Sequence, residues 1–107
     1  MPSKHAPRLR NALFTHFRTE VPIEKLEFMD YLVYQLEECP ETRRTHYQGY
    51  AEFSQQMTLK KLQEWLPSVH FEKRFGNQAQ AIAYCTKEDT RVDGPWEYGE
   101  RPREEGN

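Results

Sequence analysis

Residues 30–53 read DYLVYQLEECPETRRTHYQGYAEF, two alternating stretches around a polar break. In residues 30–38 the side chains divide by period two. Leu32, Tyr34 and Leu36 share one face, and the more polar set of Tyr31, Val33, Gln35 and Glu37 shares the other. Residues 45–53 (THYQGYAEF) form a second strand, and residues 39–44, with Pro40, make the hairpin loop between them. Antiparallel pairing brings Glu37 near His46. The same period puts His46 and Gln48 on one face and sends Tyr47 to the other.

Upstream of this hairpin, residues 11–17 (NALFTHF) are rich in β-formers and predict a first strand. Residues 21–29 carry Ile23, Leu26 and Met29 at a spacing that predicts one helical stripe. Downstream, Thr58 is suited to cap a helix through Leu59, Leu62, Trp65 and Leu66, stopped by Pro67. Residues 69–75 alternate as a strand. Gly76 and Asn77 break it, and Asn77 can cap a helix running to Lys87 or Glu88. Tyr84 and Lys87, three apart on that helix, are neighbours on one face. Residues 92–98 complete the pattern as a last short strand, so the chain reads as α+β. Residues 1–10 read as a flexible basic arm, residues 11–100 as the domain and residues 101–107 as a disordered tail.

At 107 residues the chain has the length of one domain, with a modest hydrophobic fraction of 36% reinforced by large aromatics. No apolar run reaches the roughly 20 residues of a membrane span, and the basic start lacks the apolar core of a signal peptide. A soluble protein is expected. Only Cys39 and Cys85 occur, without CxxC spacing, which excludes a disulfide scaffold and fits a reducing intracellular compartment. The net charge of −2 argues against a protein that holds duplex DNA by blanketing its phosphates. Basic residues are nevertheless grouped, with Arg43 and Arg44 just before His46, Lys60 and Lys61 opening a helix, and Lys73 and Arg74 ending a strand. Read alone, each pair is a solvated face.

Glu37, His46 and Gln48 together offer a carboxylate, an imidazole nitrogen and an amide oxygen. An oxygen-rich, thiol-free set of this kind suits Mg²⁺ or Mn²⁺ better than Zn²⁺. Tyr84 is the candidate nucleophile. A tyrosine hydroxyl ordinarily titrates near about 10 and attacks poorly at neutral pH, so it needs a metal, a base or a cation beside it. Lys87 supplies the cation. With the metal gripping a phosphate oxygen, this set describes phosphodiester transfer to tyrosine, which needs no ATP and can be reversed by an incoming 3′-hydroxyl.

LFTHF (13–17), HYQGY (46–50) and YCTK (84–87) resemble, in order and spacing, the three motifs of the HUH-type rolling-circle replication initiators (Rep) of circovirus-like single-stranded DNA viruses. The resemblance implies a five-stranded antiparallel sheet with flanking helices, similar to RNA-recognition (RRM) or ferredoxin-like folds. It implies Mn²⁺ or Mg²⁺, nicking of an origin stem-loop, a covalent 5′-phosphotyrosine adduct and a free 3′ end that primes replication. Glu37, His46 and Gln48 match the metal ligands, Tyr84 the nucleophile and Lys87 its lysine. Phe14, Thr15 and His16 of the first motif, with Tyr47, Arg43 and Arg44 at the second, are the candidate DNA contacts. The family's second histidine is here Gln48, a replacement common among the circular-genome viral members, and the chain departs more at His16, Phe17 and Arg18, where relatives often carry Leu-Asn-Asn. Family members usually continue into a helicase domain with a GxxxxGK[ST] loop. That motif does not occur here, so the chain is expected to be the nuclease part of a longer protein that acts in the host nucleus, with higher oligomers only at full length. The alternative reading is a non-catalytic single-strand binding module, with Phe14, Tyr47, Tyr50 and Phe53 stacking bases.

Overall fold

The two alternating stretches pair as their periodicity requires, and three further strands complete the sheet around them. The computed structural model describes residues 8–20 and 23–103. Strands β1 (Arg8–His16), β2 (Met29–Glu38), β3 (Thr45–Thr58), β4 (Val69–Glu72) and β5 (Arg91–Gly99) form one antiparallel sheet in the order β4-β1-β3-β2-β5. Helices α1 (Leu59–Trp65) and α2 (Gln78–Cys85) follow β3 and β4. The α+β architecture is the expected one. Thr58 caps α1 by accepting from the Lys61 amide at 3.1 Å, and Asn77 with Gln80 closes a capping box at α2.

Each face of the sheet is buried by a different layer. On one face Ala12, Phe14, Leu32, Tyr34, Ala51 and Phe53 form a core with Leu62 of α1. On the other, Leu13, Tyr31, Val33 and Tyr50 pack against Ala81, Ile82 and Cys85 of α2. Gly49 permits the first of these cores. The Phe14 ring lies across it so closely that a Cβ there would sit 2.2 Å from the ring.

Several boundaries differ from expectation. The first strand begins at Arg8, because Leu9 is a core residue paired with Met57. Residues 8–10 therefore belong to the sheet, while the rest of the expected arm, 1–7, lies outside the described residues. The helix expected over 21–29 is absent across 23–29, and residues 21 and 22 are not described. Ile23, Leu26 and Phe28 still cover the core, but the Phe28 carbonyl accepts from the Ser54 amide at 2.8 Å, tying this segment to β3 instead of to its own next turn. Helix α2 ends at Cys85, with Thr86 as C-cap, so Lys87 lies beyond it. Of the expected tail, residues 101–103 lack regular structure, and the Pro102 carbonyl accepts from Gln78 of α2 at 2.7 Å. No helix among the described residues is long and apolar enough to cross a membrane.

Candidate active site

Antiparallel register sets Glu37 opposite His46 and Gln35 opposite Gln48, so four polar side chains share the α2 face just past the apolar contacts of that helix. Glu37 is almost wholly buried, and a lone carboxylate there would be costly. It has three partners. His46 Nε2 lies 3.3 Å from Oε1, Lys87 Nζ donates to both carboxylate oxygens at 3.1 Å, and Gln35 Nε2 donates to Oε2 at 2.9 Å. Gln48 turns its amide between β1 groups, accepting from the Thr15 hydroxyl at 3.2 Å and donating to the Phe14 carbonyl at 3.0 Å.

Glu37, His46 and the Gln48 amide oxygen are the groups here that could hold a hard divalent cation. Glu37 already grips a cation, the Lys87 ammonium, with both oxygens, and His46 shares the same carboxylate. No group of three His, Cys, Asp or Glu side chains able to hold a metal occurs among the described residues, and the amide oxygen of Gln48 is held by the Thr15 hydroxyl. Cys85 does not add a thiolate. Burial, reinforced by the charge of Glu37, pushes its thiol up to about 12, so it is neutral at physiological pH beside the Gln48 side chain.

Tyr84 reaches this centre through the geometry of α2. Gln78, at the start of the helix, donates to Glu52 at 2.9 Å, and Ala81, Ile82 and Cys85 face the sheet. Tyr84 is left on the rim, 40% exposed. Lys87 has left the helix, yet its Nζ lies 4.5 Å from the centroid of the Tyr84 ring, a cation–π distance. Gln35 explains how. Its Nε2 also donates to the Lys87 carbonyl at 2.8 Å, fixing the segment after α2 to the strand that carries Glu37. Sequence reasoning passed over Gln35, although its place two residues before Glu37 in β2 was the available signal.

The candidate DNA contacts divide between the faces. Thr15 lies on the α2 face beside Gln48, and Arg43 and Arg44 are exposed on the hairpin loop. Phe14 and His16 do not join them. At 2% and 1% exposure they are buried in the α1 layer, Phe14 against Phe71 and His16 beneath Tyr47. Tyr47 packs on the same side against Tyr34 and Trp96. Period two along β1 and β3 requires this, since the residues that flank Thr15 and Gln48 point through the sheet. Tyr50 and Phe53 are buried as well, so the platform required for the binding-module alternative is not offered at the surface.

A protein family described as "Putative viral replication protein" matches residues 10–88, which hold every residue of this centre. The chain belongs to that family. It is 49% identical over 79 residues to the master replication protein of Milk vetch dwarf virus (isolate N), covering 74% of this chain and 27% of that protein. The master replication protein of Subterranean clover stunt virus (strain F) is 46% identical over 87 residues, 81% of this chain and 30% of the relative. Para-Rep C3 of Milk vetch dwarf C3 alphasatellite is 40% identical over 85 residues, 78% and 29% of the two chains. The chain thus spans less than a third of the length of these relatives. Strand β5 lies beyond the family match, yet it pairs with β2 along the edge that carries Glu37.

Proposed function

We propose that the chain is a metal-dependent, sequence-specific single-stranded DNA endonuclease and strand transferase that nicks a viral origin to start rolling-circle replication. One observation carries the reading: a continuous series of contacts runs from His46 through Glu37 and Lys87 to the ring of Tyr84. It joins a candidate ligand pair to a candidate nucleophile within one face of the sheet.

In the proposed step the Tyr84 hydroxyl oxygen forms a bond to the scissile phosphorus and the bond to the 3′ oxygen breaks. The phenolic proton leaves to solvent, and the departing 3′ oxygen takes a proton to become a free hydroxyl. The 5′ phosphate stays on Tyr84 as a phosphodiester, so a later 3′-hydroxyl can reverse the exchange without ATP. A Mn²⁺ or Mg²⁺ ion held by Glu37, His46 and Gln48 would supply Lewis-acid polarisation of the phosphate. Lys87, shared between Glu37 and the Tyr84 ring, would stabilise negative charge on the phenolic oxygen or on the pentacoordinate phosphorus. Gln35 is a positioning residue that holds Glu37 and the Lys87 backbone in one frame. We extend the same reading to a helicase domain elsewhere in the full-length protein and to action in the host nucleus.

The test is a denaturing gel of the chain with single-stranded oligonucleotides bearing origin-type loops, with Mn²⁺ or EDTA, wild type beside Tyr84→Phe. A metal-dependent, slower protein band in the wild type alone, with a free 3′ fragment, is the expected result. Binding without an adduct across a broad pool of loops would overturn the transferase reading.

A further inference from the structure

Within residues 13–17, Phe17 is left without a role. His16 is core, but Phe17 is 47% exposed on the α2 side of the sheet. Its ring centroid lies 5.5 Å from that of His46, and the Arg44 guanidinium sits 4.7 Å from its own. At the opposite end of the same contact series, Phe75 is 53% exposed and its ring meets Tyr84 edge-on, with centroids 5.7 Å apart. The order of contacts is therefore Phe17, His46, Glu37, Lys87, Tyr84, Phe75. The exposed aromatics Trp65 and Tyr98 belong to the other layer, against Phe28 and Tyr34.

We propose that Phe17 and Phe75 are base-stacking platforms on the two sides of the catalytic centre, each taking an unpaired nucleobase of the DNA strand. The inference rests on the transferase reading, since it takes the substrate to be a single strand crossing this face. Such a strand presents an unpaired base on each side of the phosphate that reacts, and a half-exposed ring at each side gives those bases apolar surface to cover. At Phe17 the neighbouring guanidinium adds a planar cation that can stack on the base and answer the adjoining phosphate. Two platforms fix the strand at two points, which holds the phosphate between them in register for attack by Tyr84.

The experiment uses the 107-residue chain carrying Tyr84→Phe, in EDTA, and a fluorescently labelled oligothymidine strand followed by anisotropy. Phe17→Ala and Phe75→Ala are each expected to weaken binding about tenfold, the effect of losing one base–aromatic stack. Phe17→Leu and Phe75→Leu should bind as weakly as the alanine variants, and the Trp variants as tightly as the parent. In the Trp variants, binding should also quench indole fluorescence beyond the change seen in the parent. Recovery of affinity by Leu would make the rings packing residues and overturn the proposal, as would unquenched indoles in a bound complex. Thermal melts identify any variant that loses its fold, and the Leu and Trp pairs decide the matter without the alanines. No step requires metal or cleavage, so failure of the transferase reading leaves a positive stacking result intact, and normal cleavage with no stacking signal would sink the platforms alone.

Discussion

His16 on β1 and His46 on β3 lie near the same end of one sheet and face opposite layers. His16 is 1% exposed, stacked on Tyr47 with centroids 6.2 Å apart, and its Nδ1 reaches the Ser68 carbonyl at 3.3 Å. Its direct contacts are the Tyr47 ring and one backbone oxygen. His46 instead meets a carboxylate at 3.3 Å and an exposed phenylalanine. Thr15, one residue from His16, and Tyr47, one residue from His46, each point to the other side. Environment here follows the face: one layer sets an imidazole against a buried carboxylate, and the other buries one beside an aromatic ring.

The largest separation of the faces should come from alanine at each histidine. His46→Ala is expected to take metal-dependent cleavage below detection with little change in melting temperature, while His16→Ala should lower the melting temperature and leave cleavage by the folded fraction intact. Equal losses of cleavage in both would erase the contrast. Next in size is Phe14→Ala, which empties the ring space over Gly49 and should cost about 3–5 kcal/mol in denaturant unfolding. A loss under about 1 kcal/mol would mean that the α1 layer is not the main core.

Gln35→Leu sharpens the comparison from within the polar face. It removes both donations, to Glu37 and to the Lys87 carbonyl, and should weaken Mn²⁺ affinity about 10- to 100-fold by titration calorimetry, as loss of an outer-shell partner does. Unchanged affinity would free Glu37 from any dependence on Gln35. The smallest expected effect is in alkaline stability, and it touches both faces. Burial, then the Glu97 carboxylate, pushes Tyr31 on the α2 face up to about 12, and burial, then Tyr98, does the same for Tyr34 on the other. The folded state thus holds protons that the unfolded chain releases from near pH 10, so stability is complete below that point and falls as pH rises towards 12. Equilibrium unfolding from pH 9.5 upwards should show that fall, with a shallower slope in Tyr31→Phe and Tyr34→Phe. A flat profile in the parent would remove the tyrosines as its cause.

Local signals were legible wherever they were sufficient. Alternation through residues 30–53 placed β2 and β3, their loop set the Glu37 to His46 pairing, and Thr58 and Asn77 capped the helices that follow them. The apolar spacing of Ile23, Leu26 and Met29 misled because it matches a helix, whereas the segment satisfies the same apolar contacts as an irregular cover over the sheet. Phe14, His16 and Tyr47 misled differently. They sit inside motifs, and motif membership does not say which face of a strand a side chain takes.

By itself the sequence determined the alternating strands, the caps and the identity of the groups able to do chemistry, since period, propensity and capping act between residues a few positions apart. Beyond the hairpin pair of Glu37 and His46, only the tertiary structure decided which of those groups meet. The pairing of β2 with β5, the seat of α2 on the sheet and the bond from Gln35 to the Lys87 carbonyl all join residues far apart in the chain. Such contacts depend on how whole elements pack, and no local pattern specifies them.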